Sequence, residues 1–218
     1  MSSPSPKFEL FTRFAEVGKA LGNSHRLVIL ELLAQRERSV DDLASAARLS
    51  VANASQHLRL MRKVGLLVSR RNGAHILYRV NDPAVLDLVA ALHRVGERNV
   101  AEVREIVGGY FRERDALEPV SRQELSRRMR DGLVTVLDVR PEDEFDAGHL
   151  PQAINAPLRE LEKQLRDLPK DRDVVAYCRG PYCVFAFEAV ALLRQHGFSA
   201  RRLEDGFPEW KASGLPVD

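Results

Sequence analysis

The sequence predicts two domains: a mainly helical winged helix-turn-helix with a β-hairpin wing, followed by an α/β domain with a parallel sheet. Apolar residues recur at intervals of three and four through most of residues 8–108, whereas short apolar runs alternate with helical segments over residues 119–218. Residues 1–108 hold 16 Lys and Arg against 11 Asp and Glu, a net +5, and the remainder holds 17 against 20, a net −3. We therefore place a linker at residues 109–118 and a disordered Ser/Pro-rich tail at residues 1–7.

The first domain opens with two amphipathic helices. Residues 8–20 place apolar side chains at the three- and four-residue spacing of one helix face. Asn23 and Ser24 then offer an N-cap to a second helix over residues 26–33, because a short polar side chain at this position accepts a hydrogen bond from a free backbone amide.

Two further serines mark a short helix and a longer one. Ser39 precedes Val40 and two acidic residues, which is typical of a capped helix with negative charge in its first turn. Ser50 precedes residues 51–64 in the same way, and Gly65 ends that helix. The pattern predicts a helix, a turn and a longer helix.

A β-hairpin follows. Residues 66–70 and 75–80 have the composition of strands and flank Asn72 and Gly73, a pair suited to a tight hairpin turn. Pro83 then opens a helix whose apolar stripe continues to residue 107. That stripe is longer than so small a domain can cover, so we predict a symmetric homodimer; the alternative is packing within one subunit.

The charge of this region predicts a nucleic-acid partner. No acidic residue occurs between Asp42 and Asp82, whereas seven Lys and Arg do, which suits DNA phosphates; a solvated basic face is the alternative. In a helix-turn-helix the second helix enters the major groove. The predicted base readers are Asn53, Ser55, Gln56 and His57. The predicted contacts to the DNA backbone or minor groove are Arg59, Arg62, Lys63, Arg70, Arg71 and Arg79.

Helices and strands alternate in the second domain, as they do in domains with a parallel sheet. The predicted helices are 122–130, 158–168 and 184–196. The predicted strands are 134–139, 174–178 and 200–203.

Cys178 and Cys183 are the two cysteines of the chain, and they enclose a short loop between a predicted strand and a predicted helix. Backbone amides at a helix N-terminus favour an anion, so they lower a thiol pKa and stabilise a thiolate or a persulfide. Arg179 adds positive charge, and Cys183 is placed to attack a persulfide on Cys178. The remaining predicted members of this anion-binding loop are Gly180, Pro181, Tyr182 and Val184. Two inert cysteines packed in a core are the alternative.

The first domain resembles a known family. The motifs are GNSHRL over residues 22–27, QHLR over residues 56–59 and GLL over residues 65–67. Together they resemble the ArsR/SmtB family of dimeric repressors across residues 8–108, which implies an operator DNA and a homodimer. Many members sense metals, but the short helix here lacks cysteine, and Asp87 with His93 lacks a second His/Glu pair. We therefore expect no metal site.

The second domain resembles the rhodanese superfamily over about residues 119–218. The motifs are Asp138-Val-Arg140, EF at 144–145, GHLP at 148–151, AIN at 153–155, the Cys178 loop and EDGF at 204–207. The resemblance implies that Cys178 accepts sulfur and that Asp138 and Arg140 support the site or serve the fold alone. Related phosphatases carry an arginine six positions after the cysteine, where this chain has Val184, so phosphate-ester hydrolysis is disfavoured.

These features lead to one hypothesis and two alternatives. The leading hypothesis is a regulator, by default a repressor, that binds double-stranded operator DNA and senses sulfane sulfur from thiosulfate or polysulfide through a persulfide on Cys178. A thiosulfate sulfurtransferase tethered to DNA and a thiol-based sensor of arsenic-type oxyanions are the alternatives. No cofactor is expected. The apolar runs are too short to cross a bilayer, and the start lacks the layout of a secretory signal, so a cytoplasmic chain is expected.

Overall fold

A computed structural model describes residues 5–112 and 119–218. The chain divides into two compact units, Met1–His93, here the winged-helix unit, and Arg94–Asp218, here the α/β unit. The division falls before the predicted linker, of which residues 113–118 lie outside the described residues, as do residues 1–4 of the predicted tail.

The winged-helix unit contains a three-stranded antiparallel sheet of order β1-β3-β2. Its elements, including a last helix that continues beyond the division, are α1 (Pro6–Leu21), α2 (Ser24–Gln35), β1 (Arg38–Ser39), α3 (Val40–Ala46), α4 (Val51–Lys63), β2 (Leu67–Asn72), β3 (His75–Val80) and α5 (Pro83–Asn99). The predicted caps of α2, α3 and α4 each accept a hydrogen bond from the amide three residues ahead. Those caps are Asn23 (3.2 Å), Ser39 (3.1 Å) and Ser50 (3.2 Å).

The wing is a hairpin with a two-residue loop. Asn72 pairs with His75, so the loop is Gly73 and Ala74, and Gly73 adopts a positive φ of 60°. A further strand, β1, pairs with β3. The sequence did not predict β1, because two residues are too few to show a strand pattern.

Two predicted boundaries in this part of the chain are wrong. Helix α1 already includes Pro6 and Lys7 of the predicted tail, because Ser5 caps it and proline fits the first helical position. The helix that starts at Pro83 does not continue to residue 107. Val100 has an extended backbone, and the chain resumes as α6 (Ala101–Ile106) and a π-helical segment (Val107–Arg112).

The α/β unit contains a four-stranded parallel sheet of order β5-β4-β6-β7. Its further elements are α7 (Arg122–Arg130), β4 (Val134–Asp138), α8 (Glu142–Phe145), β5 (Ile154–Asn155), α9 (Leu161–Gln164), β6 (Asp173–Tyr177), α10 (Val184–Gln195), β7 (Ala200–Arg202) and α11 (Phe207–Ala212). The predicted parallel sheet is confirmed. The predicted helix over residues 158–168 is wrong in length, because the turns that follow α9 already bury Leu165 and Leu168.

Alternation along the central strands creates two apolar layers. In β6, Val174 and Ala176 pack in the layer that also contains α10, whereas Val175 and Tyr177 pack in the layer with Phe207 of α11. Cys178 and Cys183 continue the first layer. The chain therefore delivers Cys178 to the carboxyl end of the sheet, beside the start of α10.

Candidate functional site

Cys178 and Cys183 form a disulfide across the loop between β6 and α10. Their Cα atoms are 6.1 Å apart, a normal separation for a bridged pair. Cys178 is 1% exposed and Cys183 is 7% exposed. The sequence left open whether the two sulfurs meet, and the structure brings them together. The loop is therefore in its oxidised form, in which neither sulfur is a thiolate.

The loop offers an anion fewer amides than its length suggests. Cys183 donates its own amide to the carbonyl of Gly180, at 3.1 Å, and Pro181 has no amide hydrogen. The amides of Arg179, Gly180, Tyr182 and Val184 are the other predicted donors. Cys183 is also the N-cap of α10, a helix of 12 residues, so its sulfur lies at the positive end of the helix dipole.

Arg179 does not present an unpaired charge to the sulfurs. Its guanidinium donates two hydrogen bonds to the carboxylate of Glu144, from Nε to Oε2 at 2.9 Å and from Nη2 to Oε1 at 2.7 Å. The Glu144 side chain is fully buried, and that of Arg179 is 17% exposed. Arg179 thus fastens the loop to α8. Glu144 belongs to the EF motif of residues 144–145, but the sequence did not predict that it lies in the site.

Asp138 and Arg140 form a buried pair at the end of β4. Both side chains are fully buried, and the guanidinium of Arg140 donates to the Asp138 carboxylate and to the carbonyl of Gly148. The Tyr177 hydroxyl also donates to Asp138 and accepts from the amide of Leu150. Burial, and then the Asp138 carboxylate, raise the pKa of Tyr177, so this hydroxyl remains a donor. These hydrogen bonds join the end of β4 to Tyr177 of β6 and to Gly148.

The start of α11 is in direct contact with the loop. The amide of Phe207 donates to the carbonyl of Cys178, at 3.0 Å. A Cβ on Gly206 would collide with the backbone of Arg179 and Gly180, so this position requires glycine. Burial raises the pKa of Glu209, whose carboxylate accepts from the amide of Gly206 at 3.0 Å. The sequence placed none of these α11 residues in the site.

Tyr182 has a partner at the end of α5. Burial, and then a hydrogen bond to the carboxylate of Glu97, raise the pKa of this phenol. Both residues belong to the α/β unit. The Tyr182 hydroxyl is therefore fixed as a donor, and the loop is attached through it to a helical residue.

Helix α4 presents most of its predicted DNA contacts to solvent. Its buried face is Ala54, Leu58 and Met61, which the three- and four-residue spacing places on one side. The exposed members of the predicted set are Asn53, Gln56, Arg59, Arg62 and Lys63, whereas Ser55 and His57 are half-buried.

His57 differs from its exposed neighbours. Its ring centroid lies 6.1 Å from that of His25. Burial, followed by the charges of Arg26 and His25, lowers the pKa of His57. At neutral pH this imidazole is therefore uncharged and suits a hydrogen bond rather than a phosphate.

The predicted wing arginines are engaged to different degrees. Arg70 donates to the carboxylate of Glu37, from Nε to Oε2 at 2.9 Å and from its terminal nitrogen to Oε1, and this hydrogen bond lowers the pKa of Glu37. Arg71 donates to the carbonyl of Gly73 at 3.0 Å, and Arg79 is exposed. No local pattern in the sequence indicates that Glu37, 33 positions away, pairs with Arg70.

Two other kinds of site, a metal site and a membrane-spanning helix, are not found among the described residues. Within residues 5–112 and 119–218, no group of three or more His, Cys, Asp or Glu side chains is placed to hold a metal ion. Among the helices of those same ranges, none is long and apolar enough to cross a membrane.

Comparisons with known sequences agree with this division. A model of the arsR family of bacterial regulatory proteins matches residues 23–69, and a model of the rhodanese-like domain matches residues 121–213. The chain is 43% identical to the HTH-type transcriptional regulator Rv0324 of Mycobacterium tuberculosis, over 97% of this chain and 93% of that protein. It is 33% identical to a sulfurtransferase of Allochromatium vinosum, over 45% of this chain and 92% of that protein.

Solved structures resemble each half separately. The homodimeric winged helix-turn-helix DNA-binding domain of Mb0332 from Mycobacterium bovis is 35% identical and covers 47% of this chain and 94% of its own, with a TM-score of 0.42. A rhodanese-related protein from Thermoplasma volcanium is 27% identical and covers 47% of this chain and 98% of its own, with a TM-score of 0.43.

Proposed function

Because the chain belongs to the arsR family of bacterial transcriptional regulators and carries a rhodanese-like domain after its winged helix, we propose that it is a homodimeric repressor that releases operator DNA when Cys178 takes up sulfane sulfur. The observation that carries this proposal is the pairing of Cys178 with Cys183 at the start of α10, within a chain whose other unit exposes a basic helix and wing.

The winged-helix unit supports the DNA-binding part of the proposal. Gln56 and Lys63 lie opposite the buried face of α4, where side chains can reach the major groove. The guanidinium of Arg62 donates to the Ser69 hydroxyl at 3.1 Å and so joins α4 to the wing. Helix and wing would then approach DNA as one surface, with Gln56 and Asn53 reading bases and the arginines contacting phosphates.

Exposed apolar side chains support the homodimer. Phe8, Phe11 and Phe14 of α1 are 67%, 58% and 59% exposed, and Leu88 and Leu92 of α5 are also exposed. Large exposed apolar side chains that recur at helical spacing along a helix mark an interaction surface, because their burial against a partner is favourable. A second copy of the chain buries the same surfaces on both subunits. Two recognition helices would then face two half-sites of an operator.

Sulfur uptake starts from the reduced loop. The Cys178 thiolate attacks the outer sulfur of thiosulfate, a bond forms between the two sulfurs, and sulfite leaves with the electron pair of the broken bond. The amides of the loop and the dipole of α10 would stabilise the resulting persulfide anion.

A sensor fits this site better than an enzyme with rapid turnover. Both sulfurs are almost fully buried, and the loop is held by Glu144, by Gly206 and by the amide of Phe207. A site of this kind reacts once and changes its bonding, which suits a switch. Sulfane sulfur acts on DNA binding only if the persulfide and thiol states bind the operator with different affinities.

Operator binding tests the proposal directly. A duplex selected by the reduced protein from a random-sequence library serves as the operator, and its affinity is measured at one salt concentration before and after polysulfide treatment, with intact mass on the same samples. We expect a mass gain of one sulfur and an affinity lower by about 5- to 150-fold.

Cys178→Ser is the matched variant for this experiment. It should bind the operator like the wild type and should not respond to polysulfide, because its loop cannot form the persulfide. A response of Cys178→Ser equal to that of the wild type would exclude the proposed role of Cys178.

A thiosulfate sulfurtransferase is the second candidate, and the resemblance of the α/β unit to the Allochromatium vinosum sulfurtransferase favours it. Steady turnover of thiosulfate with cyanide, together with a mass gain that leaves operator affinity unchanged, would support this candidate over the repressor. Stoichiometric uptake without turnover would exclude it.

A further inference from the structure

We infer that the oxidised loop is itself a receptor for hydrosulfide: HS⁻ opens the Cys178–Cys183 disulfide and leaves a persulfide on Cys178. This inference rests on the proposed function, because it uses the same loop. It adds a second substrate class, since the reduced loop takes sulfur from sulfane donors, whereas the oxidised loop would take it from sulfide. The observation behind it is that the two cysteines are joined and buried at the start of a helix.

The reaction needs no other oxidant or reductant. The sulfur of HS⁻ donates an electron pair to Cys178 Sγ and forms a new S–S bond, while the bond to Cys183 breaks and its electron pair stays on Cys183 as a thiolate. The proton of the new persulfide passes to solvent when that group ionises. The disulfide is reduced and the sulfide sulfur is oxidised to the sulfane level, so atoms and electrons balance.

The fold determines which of the two sulfurs is attacked. In thiol–disulfide exchange the thiol of lower pKa is the better leaving group. Cys183 is the N-cap of α10, a helix of 12 residues, whose dipole stabilises a thiolate at that position. Cys178 instead follows β6, and its carbonyl accepts from the Phe207 amide. HS⁻ should therefore bond to Cys178 and expel Cys183.

Burial selects a small nucleophile. Cys178 and Cys183 are 1% and 7% exposed, and the loop is fastened by the Arg179–Glu144 pair and by the close approach of Gly206. A nucleophile with a single heavy atom needs the least opening of such a packed loop. Glutathione, which must bring a tripeptide to the sulfur, should react far more slowly than HS⁻.

The experiment compares two states of the full-length protein with two reagents, without oxygen. Oxidised and reduced protein are each treated with equimolar sodium sulfide freed of polysulfide, or with thiosulfate, then alkylated and analysed by mass spectrometry. We expect the oxidised protein to gain the mass of one H₂S from sulfide and nothing from thiosulfate. We expect the reduced protein to gain one sulfur from thiosulfate and nothing from sulfide.

Trypsin separates the two cysteines, because it cuts after Arg179. The added sulfur should appear on the peptide that ends at Arg179 and not on the peptide that starts at Gly180. An added sulfur on the Gly180 peptide would overturn the assigned direction of attack. Conversion of the oxidised protein to a dithiol without added sulfur would overturn the inference as a whole.

Cys183→Ser is the matched control, because it keeps Cys178 but cannot form the disulfide. It should gain no sulfur from sulfide and should still gain one from thiosulfate. A gain from sulfide equal to that of the wild type would overturn the inference. Glutathione in place of sulfide should leave the disulfide of the oxidised wild type intact over the same period, and rapid mixed-disulfide formation would contradict the role of burial.

Operator binding separates this inference from the proposed function. Persulfide made from the oxidised protein with sulfide should lower operator affinity by the same factor as persulfide made from the reduced protein with thiosulfate. If both persulfides form and neither changes affinity, the proposed function fails and the sulfide reaction stands. If only the reduced protein forms persulfide and its affinity changes, the sulfide reaction fails and the proposed function stands.

Discussion

The ion pairs around the sulfur loop and the ion pair of the wing differ in their burial. In the α/β unit the carboxylates of Asp138 and Glu144 are fully buried and are bound by arginine side chains at several atoms. In the winged-helix unit the pair of Arg70 with Glu37 lies at the surface, with side chains 53% and 32% exposed. Buried pairs are costly to break, because one charge is left without a partner, whereas exposed pairs exchange readily with other ions. The ion pairs around the sulfur loop should therefore persist, whereas Arg70 of the wing can exchange Glu37 for another anion.

The largest effect expected from this contrast is that of Glu144→Ala. The substitution removes the carboxylate that binds the largely buried Arg179 guanidinium and should lower the free energy of unfolding by about 3–5 kcal/mol, measured by urea denaturation. It should also slow sulfur uptake at Cys178.

The double variant Glu144→Leu with Arg179→Met is the control, because it removes both charges and keeps apolar volume. It should recover most of the lost stability, since a buried ion pair is often replaceable by apolar side chains. A loss below about 1 kcal/mol for Glu144→Ala would show that this pair behaves like a surface pair.

A smaller effect is expected from Gly206→Ala. The added Cβ collides with the backbone of Arg179 and Gly180, so the loop or α11 must shift, at a cost of about 1–3 kcal/mol in the free energy of unfolding. Sulfur uptake should slow as well. Gly180→Ala is a matched control, because a Cβ there meets no atom closer than 3.9 Å, the Glu209 Oε1. Equal effects of the two substitutions would mean that the clamp by α11 is not what holds the loop.

Gln56→Ala tests the winged-helix side of the contrast. Gln56 is exposed and lies opposite the buried face of α4, so its removal should leave the free energy of unfolding unchanged. Operator affinity should fall by about 1–3 kcal/mol, with weaker discrimination at one base pair. Lys63→Ala is the companion variant, and it should lower affinity for all sequences alike and reduce the salt dependence. A loss of stability in Gln56→Ala would contradict the conclusion that one face of α4 stabilises the fold and the opposite face recognises DNA bases.

The smallest effect is expected from Glu37→Gln. The change frees Arg70 for phosphate, so non-specific DNA affinity at low salt should rise slightly, and the slope of log affinity against log salt should steepen by up to about one unit. Stability should hardly change, because the pair is exposed. A fluorescence anisotropy salt series measures both quantities. Arg70→Gln should shift the slope the other way, and no difference between the two variants would show that Arg70 does not contact DNA.

Local signals explain what could be predicted from the sequence. Asn23, Ser39 and Ser50 cap their helices as expected, because a cap involves a side chain and an amide only three residues apart. The loop between Cys178 and Cys183 could also be predicted, because the strand, the loop and the helix follow one another along the chain. The helix-turn-helix and the parallel sheet could both be predicted from such local patterns.

Contacts between distant residues explain what was missed. The Arg179–Glu144 pair joins positions 35 residues apart. Glycine is required at position 206 because of the backbone of Arg179 and Gly180, which are also distant in sequence. Neither leaves a periodic pattern in the sequence.

The break in the helix at Val100 could not be predicted for a different reason. The apolar stripe continues through Val100, although the helical conformation of the backbone does not.

The short span of the disulfide has a consequence for how the protein can switch. The bond joins cysteines only five positions apart, so it closes a small ring and removes little chain entropy from the unfolded state, about 2 kcal/mol by loop-closure arguments. Domains of this size usually have about 5–15 kcal/mol of net stability. The α/β unit should therefore remain folded when sulfide or a reductant opens the ring, which allows repeated redox cycles without unfolding.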